Sequence, residues 1–287
     1  MKLSDIYNNK MHVFSLEVFP PKKDFGIETI YETLDGLSQL TPDFISVTYG
    51  ASGNVADCKT RIIADIIKTK YHTESMAHLT CVNTSEDDAA AILDDLASSG
   101  IENILALRGD ISPDRPPKND FRWASDLASF IKRRGGFDIG GACYPEVHSE
   151  ASSAEEDIRN LKIKVDSGVN FLITQLFFDN SFFYSFIDRA RTVGINVPVS
   201  AGIMPVTNKR QIERMVTMCG ASIPQELTKI MSKYSDDPES LTDAGIDYAA
   251  RQIEDLISNG VEGIHLYTMN NPSVAGRIYD SIKDFIG

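Results

Sequence analysis

The sequence predicts an α/β fold, a single (β/α)8 TIM barrel, and three observations lead there. Short apolar, β-branched runs alternate with longer amphipathic segments along the whole chain. The starts of most apolar runs recur at roughly 27–35 residues, the length of one strand–helix unit. At 287 residues the chain has room for eight such units, and no linker divides it, so residues 1–287 are expected to form one domain. A doubly wound sheet is the alternative. The sequence contains neither G-x-G-x-x-G nor a P-loop, which weakens it.

Strands are expected to start near His12, Phe44, Ser75, Asn103, Asp138, Asn170, Val197 and Gly263. The first, HVFSLEVF, must stop at Phe19, because Pro20 and Pro21 lack N–H donors and fix φ. Helices are expected over 27–39, 57–71, 85–98, 123–134, 154–167, 182–191, 209–218 and 273–285, where the pattern turns amphipathic. Two have clear start signals: Thr84 and Ser85 before Glu86, and Ser152 and Ser153 before Glu155 and Glu156. The interval between the seventh and eighth strands is longer than the rest. An extra helical segment over 223–259 fills it.

Composition narrows the function classes. Hydrophobic residues make up 42% and charged residues 24%, as in ordinary globular domains. A net charge of −13 with no basic stripe argues against a nucleic-acid backbone as partner. Cys58, Cys81, Cys143 and Cys219 form no C-x-x-C, and the five histidines form no H-x-H or H-x-x-x-H, so no metal site is expected. With no G-x-S-x-G and no cysteine beside a base, nucleophilic hydrolysis lacks support. The N-terminus lacks a signal-peptide core and no run reaches membrane-spanning length, so a cytoplasmic location is expected.

Alternation along the strands sorts the side chains. Phe14, Leu16 and Val18 share one face of the first strand, and Val13, Ser15 and Glu17 share the other. In the second strand Ser46 and Thr48 oppose Ile45, Val47 and Tyr49; His78 pairs with Thr80, Arg108 with Asp110, and Ile173 with Gln175. If the bulky apolar faces pack on helices, a polar ring of Glu17, Thr48, His78, Asp110 and Gln175 surrounds one mouth of the barrel. Burial beside an apolar strand would raise the Glu17 carboxyl toward general-acid range. The residues alone leave Glu17 open as a salt-bridge partner and His78 as a core histidine. They end at a metal-free barrel enzyme whose reaction is unnamed.

The strand ends go further. LEVFPPK at 16–22, ISVTYGA at 45–51, AHLTC at 77–81, ALRGD at 106–110, YPEVH at 144–148, ITQLFFD at 173–179, GIMPV at 202–206 and LYTMN at 266–270 resemble, in order, those of methylenetetrahydrofolate reductases. The resemblance is to the short bacterial type, a catalytic barrel without a regulatory domain. It implies a flavoprotein of one-carbon metabolism and methionine biosynthesis. Such a protein holds FAD noncovalently, takes a hydride from NADH or NADPH, and reduces 5,10-methylene- to 5-methyltetrahydrofolate. It implies a homo-oligomer as well. Some members of the family work with a partner chain that feeds them electrons, and proline dehydrogenase is a related flavin barrel; both remain as alternatives.

Carried over position by position, the resemblance makes Glu17 the general acid and places Asp110 beside the flavin and the pterin. Gln175 would hydrogen-bond the folate, with Met215, Tyr267 and Met269 bordering it. Thr48, His78, Arg108, Gly109, Asp110, Trp123, Ala124, Tyr144, His148, Asp157, Asn160 and Lys164 would contact FAD, with Arg108 and Lys164 on its diphosphate. Three positions depart from the family's pattern. Trp123 replaces a tyrosine, Ile163 a basic residue, and Asn271 an arginine, which removes a cation from the grip on the folate's glutamate tail.

Overall fold

A strand buried on both faces needs continuous apolar character or polar groups that find partners, and both occur in the computed structural model. It describes residues 1–21, 26–49, 59–111 and 116–286; Lys22, Gly50, Ala51, Cys58 and the first two residues of the helix expected over 57–71 lie outside these. Eight parallel strands close on themselves in chain order: β1 (Val13–Val18), β2 (Phe44–Val47), β3 (Glu74–Thr80), β4 (Asn103–Leu107), β5 (Asp138–Cys143), β6 (Phe171–Thr174), β7 (Val199–Ile203) and β8 (Gly263–Tyr267). Every start falls within two residues of its expected position.

Helices α2 (Thr29–Ser38), α3 (Lys59–Thr69), α4 (Glu86–Ser98), α5 (Ala124–Arg134), α6 (Ala154–Asp166), α7 (Asn180–Thr192), α8 (Lys209–Cys219) and α11 (Pro272–Ile286) are the expected ones. Ser85 and Ser153 cap α4 and α6 by accepting from the Asp88 and Glu156 amides, as their start signals require. The extra segment is two helices, α9 (Gln225–Lys233) and α10 (Pro238–Ser258).

One helix is absent from the sequence reading: α1 (Leu3–Asn9). Of its seven residues only Leu3 and Tyr7 are buried, too few to register as a periodicity. It plugs the amino-terminal end of the barrel. Its Leu3 amide donates to Asn103 Oδ1 at 3.0 Å, its Ser4 amide to Asp138 Oδ2 at 2.6 Å, and Tyr7 Oη meets Ser200 Oγ at 2.6 Å. The buried polar residues at the starts of β4, β5 and β7 thereby find partners.

The apolar core has two shells. Phe14, Leu16, Ile45, Leu79, Ile104, Leu172 and Leu266 face outward onto the helices. Val13, Phe44, Met76, Leu105, Phe171 and Ile173 fill the barrel's lower interior beneath Leu3 and Tyr7. A third cluster, with Leu176, Met204, Leu227 and Leu241, joins α8, α9 and α10 to the carboxyl-terminal side. Gly245 makes that join close, since a Cβ there would lie 1.8 Å from the Val206 carbonyl oxygen. Gly245→Ala should therefore separate α10 from the loop after β7 and cost about 2–3 kcal/mol or more. Urea denaturation monitored by circular dichroism checks this.

Candidate active site

Alternation along β1 points Glu17 into the barrel above Ser15 and Val13, and the parallel register sets it opposite Ser46 on β2 and Tyr267 on β8. Its Oε2 lies 3.5 Å from Nε2 of His78 and 3.5 Å from Nε2 of His265. The Glu17 side chain is 19% exposed, while His78 is nearly buried and His265 fully so. Its backbone is held as well: the Thr268 hydroxyl donates to the Glu17 carbonyl at 2.6 Å.

The expectation that burial would raise the Glu17 carboxyl is corrected for the free protein. Burial does push it up. The hydrogen bond from His265, the charges of His78 and His265, and the Ser46 hydroxyl together outweigh that, holding the carboxyl below its ordinary value. His78 itself is pushed down to about 4, chiefly by burial, with Glu17 opposing and His265 reinforcing. It is therefore neutral at pH 7 and adds no charge there. Near neutrality His265 and Ser46 are the groups that keep Glu17 ionised. Nε2 of His78 is buried without a hydrogen-bond partner.

The loops after β4 and β5 gather the cationic and aromatic residues. Arg108 pairs its two terminal guanidinium nitrogens with the Glu150 carboxylate, at 2.5 and 2.7 Å, and lies 5.9 Å from the exposed Trp123 ring. Gly109 has a φ of 82°, and a Cβ there would sit 3.0 Å from Thr80, so glycine is required where the chain turns over the mouth. Asp110 beyond it is exposed, within electrostatic reach of Arg108, Tyr144 and Cys219. Ala124 begins α5 beside Trp123.

Tyr144 and His148 pack edge to face at 4.6 Å. Asp157 on α6 accepts from the His148 amide at 3.1 Å, and Val147 between them has a φ of 96°, a strained value for a β-branched residue. Lys164 reaches inward and donates to the Ala142 carbonyl at 2.7 Å, and burial lowers its pKa. Asn160 lies exposed one turn away. Thr48 is half-buried at the end of β2, its amide donating to Val18 at 3.0 Å.

The opposite side of the mouth is apolar. Met215, Tyr267 and Met269 all pack against the cluster of Leu176, Met204 and Val206. Gln175 sits at the edge of this wall, its Oε1 accepting from the Leu176 amide at 2.9 Å. Tyr267 is fixed by its hydroxyl, which donates to the Thr174 carbonyl at 2.7 Å. Met269 and Asn270 both adopt positive φ, and the Asn270 side chain clasps the backbone N–H and C=O of Phe19. Asn271 caps α11, accepting from the Val274 amide at 3.1 Å ahead of Pro272. Helix capping is thus a physical reason for asparagine there.

The structure brings Glu17 to His78, and Arg108 toward Trp123; Asp110 and Gln175 stand on separate loops. Sequence reasoning put Ser15 on the Glu17 face and Ser46 beside Thr48 without giving either a role, and it missed His265. The signal was present: His265 shares its strand face with Tyr267, two residues on. Among the described residues no group of three or more His, Cys, Asp or Glu side chains is placed to hold a metal, and no helix is long and apolar enough to cross a membrane.

The family model for methylenetetrahydrofolate reductase matches residues 2–283. The 5,10-methylenetetrahydrofolate reductases of Pectobacterium carotovorum and Escherichia coli are 40% and 38% identical to this chain over 264 residues, 92% of it and 88% of theirs. Methylenetetrahydrofolate reductase (NADH) 1 of Arabidopsis thaliana is 35% identical, covering 94% of this chain and 48% of its own. Among solved structures, a Clostridium thermocellum protein that binds two copies of 5-methyl-5,6,7,8-tetrahydrofolic acid matches with a TM-score of 0.65 over 99% of both chains. At 14% identity it speaks to the barrel alone.

The buried His78 has a consequence for stability. Its folded pKa, about 4, lies below that of an unfolded histidine, so between about pH 6.5 and 4 the unfolded chain binds the extra proton. Stability therefore falls as pH drops through this window, by about 3 kcal/mol between pH 7 and pH 4 from this residue. His78→Asn should remove that share of the slope. Urea melts at pH 7, 5.5 and 4 would show it.

Proposed function

The chain is a member of the methylenetetrahydrofolate reductase family, and from that premise we propose that it reduces 5,10-methylenetetrahydrofolate to 5-methyltetrahydrofolate with FAD as cofactor and Glu17 as general acid. The family match over residues 2–283 carries the reaction. The meeting of Glu17 with two imidazoles at the barrel mouth supports the role of Glu17.

The residues present fit FAD on their chemistry. Arg108 and Lys164 supply cations for a diphosphate, Gly109 exposes bare backbone, Trp123 and Tyr144 offer ring faces, and His78 Nε2 is a buried polar atom still lacking a partner. Arg108 would exchange the Glu150 carboxylate for the diphosphate. When bound, FAD would take a hydride from NADH or NADPH and deliver it to the folate's one-carbon unit. Asp110 would disfavour further negative charge nearby and favour positive charge developing on the folate.

Glu17 does the proton work. Opening the substrate's five-membered ring leaves an electrophilic iminium and a departing nitrogen that needs a proton. Folate closing over Glu17 would displace the water that reaches its 19% exposed side chain, removing the solvation that favours the carboxylate. Gln175 would orient the pterin through an amide that both donates and accepts. Met215, Tyr267 and Met269 give the flat ring an apolar wall.

Purified protein under anaerobic conditions should be yellow, bleach with NADH or NADPH, and recover its colour with 5,10-methylenetetrahydrofolate. Colour that ignores both nicotinamides would point to a partner-fed electron donor, and turnover of proline instead would sink the folate reading. Glu17→Gln should bleach within a few-fold of the wild-type rate while its folate half-reaction falls by about 10²–10⁴-fold. Asp110→Asn should raise the flavin potential, read by dye equilibration; an unchanged potential would remove its electrostatic role.

A further inference from the structure

His265 is a fully buried imidazole on the barrel axis, and its surroundings leave it one orientation. The Ser15 hydroxyl donates to the Ile264 carbonyl at 3.2 Å and lies 2.8 Å from Nδ1 of His265. With its proton committed to the carbonyl, the Ser15 oxygen is left to accept, so Nδ1 carries the hydrogen. Nε2 then faces Glu17 Oε2 at 3.5 Å with Ser46 Oγ at 3.4 Å. Phe44 stacks against the ring at 6.1 Å and Tyr267 meets it edge-on at 5.4 Å, which fixes its tilt.

We propose that His265 is a positioning residue for Glu17 that also holds the proton Glu17 delivers to the substrate. The inference rests on the folate-reductase reading above. The groups facing this imidazole are Ser15 and Glu17 from β1, Phe44 and Ser46 from β2, Tyr267 from its own strand, and Gly202 beside it on β7; His78 on β3 faces the same carboxylate. Glu17 is the acid among them that His265 Nε2 reaches.

In the proposed cycle the open site stores one proton on His265 Nε2, 3.5 Å from the Glu17 carboxylate. When substrate seals the mouth, the His265 Nε2–H bond breaks as the Glu17 O–H bond forms, leaving a neutral pair better suited to a dry site. The Glu17 O–H bond then breaks as the N–H bond of the departing folate nitrogen forms. Glu17 is left a carboxylate and His265 neutral, and one proton from solvent reloads the pair through the exposed edge of Glu17 once product leaves. A separation of 3.5 Å is long for a hydrogen bond, and such contacts tighten when ligand binds.

The arrangement reconciles two demands on Glu17. The free protein keeps the carboxyl ionised, yet the reaction needs it as an acid. A proton stored 3.5 Å away meets both, and burial alone would not.

His265→Gln extends an amide toward Glu17 but cannot hold a transferable proton; His265→Asn keeps a donor for Ser15 and removes the nitrogen that faces Glu17. Each half-reaction is followed by stopped-flow flavin absorbance across pH, with wild type alongside. In both variants bleaching by nicotinamide should stay within about two-fold, and the folate half-reaction should fall at least about 10-fold, with its alkaline limb moved down by about one pH unit. Ser15→Ala should move that limb the same way by less. In parallel, ¹³Cε1-histidine NMR of the protein as isolated, with His265 assigned by its loss in the variants, should show its midpoint falling by at least about one unit in Glu17→Gln.

A folate half-reaction near wild type with an unmoved alkaline limb would overturn the proposal, as would equal loss in both half-reactions, which marks a structural role. If neither His265 variant folds, an unmoved limb in Ser15→Ala or an unmoved NMR midpoint in Glu17→Gln overturns it. Wild type that fails to oxidise its flavin with the folate would instead remove the functional reading, while the NMR coupling still reads the pair.

Discussion

Closure of the barrel between β1 and β8 is the constraint on which the site depends. The two strands are 250 residues apart in the pairing of Ser15 with His265, and they meet because six other strands fix the circumference between them. A shift of one residue in that pairing would turn Ser15 and Glu17, or His265 and Tyr267, from the interior to the helix-facing shell. Outside the regular ladder the seam continues through side chains. Thr268 holds the Glu17 carbonyl and Asn270 clasps Phe19, so β1 and the last loop are tied together. The left-handed backbone of Met269 and Asn270 is the conformational cost of that clasp.

The barrel axis is graded from dry to wet. The amino-terminal end is closed by α1 over Phe44, Met76 and Phe171, where Asn103, Asp138 and Ser200 find their partners in the plug. Above it lies a layer of Ser15, Ser46 and His265, fully buried yet hydrogen-bonded to each other. At the mouth Glu17 remains partly solvated. A carboxylate one layer deeper would have lost its water, and one layer higher would have lost its imidazoles. The balance that holds its charge belongs to this depth.

Much of the fold was legible because it depends on local periodicity. Eight apolar runs at regular spacing mark eight strands, and alternation within β1 distinguishes Glu17 from Leu16 without any tertiary knowledge. What the sequence hid depends on distant partners. Helix α1 has too few apolar residues to announce itself, and its reason for existing is Asn103 and Asp138, far along the chain. The ionisation of Glu17 is a difference between burial and imidazole contacts, and only distances decide its sign. His265 has no role to read until Ser15 and Glu17 are placed against it. Asn271 reads as a lost cation until its side chain is found on the Val274 amide.

The mouth itself divides by physical character, and the division fits the order of ligands proposed above. Arg108, Lys164, Tyr144 and His148 stand on the side of β4 to α6, where charge and hydrogen bonds are strong and directional, suited to a cofactor that stays. Met215, Tyr267 and Met269 stand on the side of α8 and β8, and most of their contact with any ring is dispersion. Thioethers on flexible stems fit rings of different outline without large cost. On the proposed function a nicotinamide and a pterin would occupy one wall in succession, provided the proposed acid between the two sides acts on the second alone. Under the proposed mechanism Glu17 would meet that condition through its charge: ionised when the mouth is open, it would become an acid under the ligand that covers it.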